Sequence, residues 1–261
     1  MTVRLHIEVE GSGPAVVLAH GFGGSARNFG PQTRVLRSRF RVVRYDARGH
    51  ARSEAPDDPA AYSPELAVAD MGQALDAASA AEAVVVGLSM GAVTALRFAL
   101  THPERVRGLV LAAFPPDVRD GRGFGAVAEA FAAAIERDGL EAAGAAFVWG
   151  PAAGLDAAAA RLVRQGFLEH PPHGLAHTLR GVLAVQPPLE ELAAQLTGLA
   201  IPTLVIVGAD DRACLDPSHF LARTLSKADL VVLADAGHVV NLAQPAAFNG
   251  ALLDFLARVA C

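Results

Sequence analysis

The chain has 261 residues, of which 52% are hydrophobic, so its length and composition allow one large domain with a sizeable core. Its net charge of −5, from 22 basic and 27 acidic residues, argues against a nucleic-acid partner, because such proteins carry a basic patch or stripe. Arginines do cluster between residues 34 and 52, but they alternate with apolar residues, which is typical of a solvated face.

The cysteines and the first residues bear on location. The chain has two cysteines, and one of them, Cys261, is the last residue, so a disulfide framework is not expected and a reducing compartment is favoured. The first eight residues lack the apolar core of a signal peptide. No run approaches the roughly 18 apolar residues of a membrane span. We therefore expect a cytoplasmic protein without a membrane or nucleic-acid partner.

Short apolar runs alternate with helical patterns along most of the chain. Strands are predicted at 5–9, 15–19, 40–45, 83–87, 106–112, 202–207 and 230–233. Helices are predicted at 63–78, 90–102, 217–226 and 245–258. This alternation predicts an α/β fold, in which a mostly parallel sheet is covered by helices on both faces.

One long segment, residues 114–200, contains no convincing strand. It is rich in alanine and predicts helices at 125–137, 140–147, 155–169 and 189–196, separated by proline and glycine turns that include the His170–Gly174 cluster. Because consecutive strands are rarely so far apart, we interpret the segment as a helical insertion. The core domain would then comprise residues 1–113 and 201–261.

The sequence Gly87-Leu88-Ser89-Met90-Gly91 has the G-x-S-x-G form of a nucleophile elbow. A β-branched apolar run precedes it at 83–86, and a helical pattern follows at 92–100. Glycine is required on both sides of the serine because a Cβ would not fit where strand and helix approach each other. Ser89 is therefore the predicted nucleophile.

A serine nucleophile needs a base, and the base needs an acid to orient it. After a nucleophile elbow these partners are expected in the order serine, acid, histidine, on loops that follow later strands. The strand at 202–207 leads to Asp210 and Asp211, and the strand at 230–233 leads to His238. Both partners therefore occur in the required order and place.

Acyl transfer also needs backbone N–H groups that stabilise a developing oxyanion. One donor is predicted to be Met90, directly after the nucleophile. The other is predicted to be Phe22, in the glycine-rich loop 20–25 that follows the strand at 15–19. A phosphate-binding loop is the alternative, but its G-x-x-x-x-G-K-[ST] motif is absent from the sequence.

Taken together, these motifs resemble the α/β-hydrolase superfamily, and in particular its lid-bearing esterase, enol-lactonase and C–C hydrolase branch. The resemblance covers nearly the whole chain outside 114–200. It is carried by residues 20–24, 45–53, 87–91, 102–106, 208–211 and 237–238.

The resemblance implies an α/β-hydrolase fold with an eight-stranded sheet and a helical cap inserted after the sixth strand. It selects Asp211 over Asp210, because the acid follows the strand-end glycine by three residues. It further implies that the loop 46–53 is structural, with Ala51 in place of the family's second glycine and a slightly altered turn. Aromatic residues of the cap are candidates for the substrate pocket, namely Phe124, Phe147 and Trp149.

The predicted activity is that of a serine hydrolase that needs no cofactor or metal and acts on small-molecule esters or lactones of small to medium acyl size. Alternatives on the same triad are C–C bond hydrolysis, thioester hydrolysis, perhydrolysis and a lyase reaction. C–C hydrolysis of dienoates would need an arginine that binds carboxylate, with Arg27, Arg119, Arg122 and Arg180 as candidates. A ligand-sensing protein with a hydrolase fold is a further alternative. The sequence does not determine an oligomeric state.

Overall fold

A computed structural model describes residues 2–116, 124–149 and 157–259. In this part of the chain one sheet has the strand order β1-β3-β2-β4-β5-β6-β7. Strand β1 is antiparallel to β3, and every other neighbouring pair is parallel. The strands are β1 (Ile7–Glu10), β2 (Ala15–Ala19), β3 (Arg41–Tyr45), β4 (Ala83–Leu88), β5 (Val106–Ala112), β6 (Thr203–Gly208) and β7 (Ala228–Leu233).

Helices follow most strands, and a group of them lies between β5 and β6. The α-helices of the described residues are α1 (Gly30–Leu36), α2 (Pro64–Ala77), α3 (Met90–Thr101), α4 (Phe124–Phe147), α5 (Ala157–Phe167), α6 (Pro172–Thr178), α7 (Ala193–Gly198), α8 (Arg212–Thr224), α9 (Val240–Ala243) and α10 (Pro245–Val259). Helix α4 is kinked at Gly139, whose φ of 81° is not helical. Within these ranges, no helix has both the length and the apolar character needed to cross a membrane.

The expectation of eight strands, with the insertion after the sixth, is wrong for the described residues. They form seven strands, and the insertion follows β5. The count of eight came from the resemblance, whereas the residues before β2 supply only β1. The backbone just before β1 bonds elsewhere, since the His6 N–H donates to Ser53 Oγ at 2.8 Å.

Two helix predictions also need correction. Helix α8 begins at Arg212, not near Pro217, which lies inside the helix. The cluster predicted as a turn at 170–174 begins helix α6, with Pro172 at the first helical position. Proline is tolerated there because the first N–H groups of a helix have no acceptor within it.

The central strands of the sheet are buried on both faces, because successive side chains of a strand point to opposite sides and helices cover both sides. Val85 and the side chains on the same face of the sheet pack against α2 and α3, where Met71 and Phe98 are buried. Val84 and Val86 face the other way, into a cluster with Leu36 of α1 and with Phe248 and Phe255 of α10. Strand β4 lies between β2 and β5 and is buried along its whole length, so the residue that follows it starts from a rigid support.

Close backbone contacts fix the junction of β4 and α3. A Cβ placed on Gly87 would overlap the carbonyl oxygen of Gly91, and a Cβ on Gly91 would overlap the carbonyl oxygen of Ala19. Neither carbonyl can move without disturbing the sheet or the helix. The two glycines of the motif are therefore required by space.

We predict that Gly91→Ala destabilises the fold by about 3 kcal/mol or more, because the new methyl group must displace backbone atoms. The control is Gly72→Ala in α2, where the nearest atom to the added Cβ is Phe98 Cε2 at 3.8 Å. That change should be neutral or stabilise by up to about 1 kcal/mol, since alanine favours helices. Urea unfolding of both variants tests this, and equal stabilities would contradict it.

Candidate active site

Ser89 occupies the turn between β4 and α3 in a backbone conformation that residues other than glycine rarely adopt. Its φ is 53° and its ψ is −114°. Such a conformation costs of order 1–3 kcal/mol and persists only where the surroundings enforce it. The enforcing contacts are the tight packing of Gly87 on Gly91 and a hydrogen bond from Ser89 N–H to the Ala112 carbonyl at 2.9 Å. The sequence prediction of a sharp turn at Ser89 agrees with this geometry.

The three residues predicted as a triad lie together in a continuous hydrogen-bonded chain. Ser89 Oγ is 2.9 Å from His238 Nε2, and His238 Nδ1 is 2.8 Å from Asp211 Oδ2. Because a carboxylate only accepts, Nδ1 carries the proton and Nε2 is free to accept from the serine hydroxyl. Asp211 is buried, and the His238 side chain is 45% exposed. Asp210 is exposed and takes no part in this series of hydrogen bonds.

The loops that carry the acid and the histidine are joined by their backbones. The Ala209 N–H donates to the Leu233 carbonyl at 2.8 Å, and the Asp210 N–H donates to the Ala236 carbonyl at 3.0 Å. Gly208 approaches Ala236 so closely that a Cβ would overlap its carbonyl oxygen. The carboxyl ends of β6 and β7 therefore fix the distance between Asp211 and His238.

Cys214, the other of the two cysteines, is a neighbour of the acid for which the sequence predicted no role at the site. It is buried in the first turn of α8, and its Sγ lies 3.5 Å from His238 Nδ1. Burial raises the pKa of the Cys214 thiol, which stays protonated and can donate. Burial of Asp211 opposes its ionisation, but hydrogen bonds from His238 and Cys214 outweigh this and lower the pKa of the carboxyl group. The spacing of three residues after Asp211 is the sequence signal for this contact.

Asp211, Cys214 and His238 also form the one group of three possible metal ligands in the described ranges, with ligand atoms within 4.8 Å of one another. The acid and the histidine already hydrogen bond to each other through Nδ1. A cation there would displace that proton and remove the hydrogen bond that orients His238. These side chains are therefore better suited to orienting His238 than to binding a metal ion.

The loop with the predicted oxyanion donor lies directly beside the elbow. A Cβ on Gly21 would be 3.4 Å from Ser89 Cβ, and a Cβ on Gly91 would touch the His20 carbonyl. Met90 is the first residue of α3, so its N–H has no acceptor within the helix. Within the described residues the Phe22 N–H also has no hydrogen-bond acceptor. Two backbone donors thus lie in elements that meet at Ser89.

The loop 46–53 is tied down by buried polar contacts, as expected of a structural loop. The fully buried Asp46 carboxylate accepts hydrogen bonds from Ala26 N–H at 2.7 Å and Arg52 Nε at 2.8 Å. Ala51, in place of the family's glycine, has a positive φ of 44°. Its N–H donates to His170 Nδ1 at 2.7 Å. The altered turn is thus supported by His170, a residue that the sequence placed only in a predicted turn.

The aromatic candidates of the insertion differ in what they contact. Phe147 is 41% exposed and stacks on Phe131 at a centroid distance of 4.6 Å. Trp149 is half-buried and meets Phe167 edge-on at 5.5 Å. Phe124 begins helix α4, but its side chain lies outside the described residues. Phe131 also meets the Phe22 ring at 5.4 Å, so an aromatic cluster links the oxyanion loop to the insertion.

Comparison with known proteins gives the family. Residues 16–251 match the model of the alpha/beta hydrolase family. RutD of Variovorax paradoxus (strain S110), named as a carbamate hydrolase, is 36% identical over 270 residues, which cover 98% of this chain and 97% of that protein.

Two solved structures are similar over their whole length. The enol-lactonase of Burkholderia xenovorans LB400 has a TM-score of 0.86 at 28% identity and covers 98% of this chain and 97% of its own. A thermophilic esterase of Thermogutta terrifontis has a TM-score of 0.88 at 26% identity, with coverages of 99% and 95%. The chain belongs to the alpha/beta hydrolase family, in its esterase- and enol-lactonase-like branch. Within that family it is a hydrolase.

Three buried histidines lie beside the site, and their charge state affects stability. The rings of His20, His50 and His170 pack in series, the first pair tilted and the second edge-on, with centroid distances of 5.3 Å for both neighbouring pairs. Burial lowers the pKa of all three, and it lowers the pKa of His20 to about 4. Between pH 6.5 and 4 the unfolded chain therefore binds protons that the folded chain does not bind. The stability that these neutral histidines contribute is fully present above pH 6.5, and it is lost as the pH falls through this window.

We predict that His20→Gln reduces this pH dependence, because it removes one group that titrates only in the unfolded chain. The slope of unfolding free energy against pH should fall by up to about 1.4 kcal/mol per pH unit between pH 4 and 6.5. Urea unfolding across this range gives the slope, which is independent of any constant loss of stability. His102→Gln, at an exposed position, is the matched control and should leave the slope near that of the wild type. An unchanged slope in His20→Gln would contradict the prediction.

Proposed function

We propose that the protein is a serine hydrolase that cleaves carboxylic esters or lactones of small to medium acyl size. The observation that carries the proposal is the hydrogen-bonded chain from Ser89 through His238 to Asp211 on a strained elbow. A serine hydroxyl is a weak nucleophile unless a base accepts its proton in this geometry. The similarity to an enol-lactonase and an esterase supports the same class of reaction.

The reaction has two steps. Ser89 Oγ attacks the acyl carbonyl while its proton moves to His238 Nε2, and Asp211 stabilises the imidazolium through Nδ1. The tetrahedral oxyanion accepts hydrogen bonds from the Phe22 and Met90 N–H groups, and His238 then donates its proton to the leaving alcohol. A water molecule that His238 deprotonates next attacks the acyl-enzyme and releases the acid. No cofactor takes part in these steps.

Residues 114–200 form a cap over this site in the proposal, with residues 1–113 and 201–261 as the core domain. Its helices share a hydrophobic cluster with Met90 of the elbow, and Phe22 packs against that cluster. Such a cap excludes water and shapes an apolar pocket for the acyl group. Phe147, Trp149 and Phe124 are its proposed pocket residues.

C–C bond hydrolysis, one of the alternatives on the same triad, receives less support from the contacts of the described residues. Two of the arginines considered for binding a dienoate carboxylate are engaged in ion pairs: Arg27 with Glu169 at 2.6 Å and Arg180 with Glu129 at 2.8 Å. The other two, Arg119 and Arg122, lie outside the described residues. Carbamate hydrolysis, suggested by the name of a relative, is acyl transfer that the same residues would perform, and a substrate panel separates it from ester hydrolysis.

We predict that Ser89→Ala lowers kcat for p-nitrophenyl butyrate by at least about 10³-fold, since the residual rate comes from the oxyanion hole and binding alone. The matched control is Ser226→Ala, an exposed serine whose hydroxyl donates to the Leu199 carbonyl. It should keep activity within about twofold. Retention of most activity in Ser89→Ala would refute the assigned nucleophile.

We predict that Phe147→Ala selectively weakens hydrolysis of longer acyl groups. If the exposed ring lies along the acyl chain, its loss should lower kcat/KM for p-nitrophenyl octanoate by about 10-fold and leave the acetate nearly unchanged. Leu162→Ala removes an exposed apolar side chain on the neighbouring helix α5 and is the control. The ratio of octanoate to acetate kcat/KM is the measurement, and equal ratios in both variants would exclude Phe147 from the pocket.

A further inference from the structure

His170 is a buried histidine at the junction between the insertion and the core. It follows α5, precedes α6, and is only 4% exposed. Its ring packs edge-on against His50 of the core at 5.3 Å and against Phe167 of the insertion at 6.1 Å. It takes no direct part in the reaction proposed above, since no hydrogen bond or ring contact among the described residues joins it to Ser89, His238 or Asp211.

Both ring nitrogens of His170 bond to the backbone of core loops. Nε2 lies 2.8 Å from the Gly23 carbonyl oxygen, and Nδ1 lies 2.7 Å from the Ala51 nitrogen. Because a carbonyl only accepts and an N–H only donates, the ring is neutral, with its proton on Nε2. One side chain of the insertion thus connects the oxyanion loop, residues 20–24, to the loop 46–53.

The bond to Gly23 leads through adjacent peptide groups to the proposed oxyanion donor. The Gly23 carbonyl shares a peptide group with the Gly24 N–H, which donates to the Gly21 carbonyl at 3.0 Å. The Gly21 carbonyl in turn shares a peptide group with the Phe22 N–H. His170 therefore orients the peptide group between Gly23 and Gly24. That peptide group in turn orients the one between Gly21 and Phe22, which carries the proposed donor.

Other contacts hold the same segment from both sides. His20 Nδ1–H donates to the Gly21 carbonyl at 2.8 Å, and His20 Nε2 accepts from Ala47 N–H at 2.9 Å. Gly23, with a positive φ of 67°, lies so close to Phe167 that a Cβ would be 2.6 Å from its ring. Each bond that a peptide carbonyl accepts also polarises the N–H of that peptide group and strengthens it as a donor.

We propose that His170 is a positioning residue: its Nε2–H bond to Gly23 holds the oxyanion loop so that the Phe22 N–H points at the carbonyl oxygen of the substrate. The inference rests on the proposed function and adds a role for the insertion in transition-state stabilisation. The bond acts on the developing oxyanion and not on the bound ester. Its loss should therefore lower kcat and leave KM little changed.

The test compares three variants of His170 with one control. His170→Phe keeps the ring and loses both hydrogen bonds. His170→Asn can still accept from Ala51 N–H but is too short to reach Gly23, and His170→Gln can place an amide N–H near the former Nε2. The control is His173→Phe, which removes another imidazole of the insertion that bonds to a core carbonyl, that of Ala55 at 3.0 Å, away from the oxyanion loop.

The measurements are kcat and KM for p-nitrophenyl butyrate, the inhibition constant of an alkyl trifluoromethyl ketone that forms a tetrahedral adduct, and the thermal midpoint. His170→Phe and His170→Asn should lower kcat by about 10- to 100-fold with KM within about threefold, because misplacing a donor costs less than deleting it. The inhibition constant should rise by the same factor as kcat/KM falls. His170→Gln should regain most of the loss, and His173→Phe should stay within about twofold of the wild type.

The outcomes separate the inference from the proposed function. If Ser89→Ala retains the hydrolysis, the proposed function fails, whatever His170 does. If hydrolysis depends on Ser89 but His170→Asn keeps the wild-type kcat, only the role of His170 is refuted. A loss of kcat in His170→Phe that His173→Phe matches, with equal falls in thermal midpoint, would show that the histidine merely joins insertion and core. If His170→Phe does not fold, His170→Asn and His170→Gln still decide the question.

Discussion

The close approach of strand β4 to helix α3 is the constraint on which the rest of the site depends. Gly87 and Gly91 let two backbones meet where a Cβ would overlap a carbonyl oxygen. The chain must then reverse within one residue, which forces Ser89 to a positive φ and leaves its side chain at the end of a fully buried strand. The same contact brings Gly91 against Ala19 and His20, so the loop after β2 is fixed beside the serine. The packing of α3 against β4 and against the end of β2 therefore positions both the nucleophile and the oxyanion loop.

Hydrogen bonds to backbone groups, more than ion pairs, join the insertion to this arrangement. Arg27 and Glu169 form an ion pair between the same segments, but both side chains are well exposed. Such pairs contribute about 0–1 kcal/mol and are screened by salt. His170, one residue further along, is buried and makes two bonds to groups that would otherwise be left unsatisfied. Removing a buried partner costs about 1–3 kcal/mol for each group left without one, so the histidine is the stronger connection.

The sequence predicts the features that follow from local patterns. Each of the seven strands lies within three residues of its predicted bounds. The central strands could be recognised as apolar runs because they are buried on both faces, and β1 could be recognised by its alternation of apolar and polar residues. Ser89 and His238 could be named in advance, since parallel strands bring their carboxyl ends to one edge of the sheet. The same rule placed an acid at 210–211, and the family resemblance selected Asp211. That these residues lie within hydrogen-bond distance agrees with the prediction, while their catalytic roles are part of the proposal.

What the sequence does not predict depends on contacts between distant segments. Nothing local indicates that His170 bonds to Gly23, because the two residues are 147 positions apart. The expected count of eight strands came from the family resemblance and does not hold for the described residues, where the backbone before β1 bonds to a loop and not to another strand. The predicted start of the helix near residue 217 was wrong, because α8 begins at Arg212 and contains Pro217, although proline is disfavoured in a helix interior. These differences come from tertiary packing that overrides local preference.

The contacts of the insertion link the proposed acyl preference to the stabilisation of the transition state. Phe147 and Phe131 stack beside the proposed pocket, and Phe131 packs on the Phe22 ring, whose backbone N–H is the proposed oxyanion donor. Phe167 presses on Gly23 and lies three residues before His170. Phe131 and Phe167 thus contact both the proposed pocket residues and the oxyanion loop. Rate and acyl preference should therefore change together in variants of these two residues, whereas variants of α8 or α10 should alter stability alone unless they move Asp211 or Cys214.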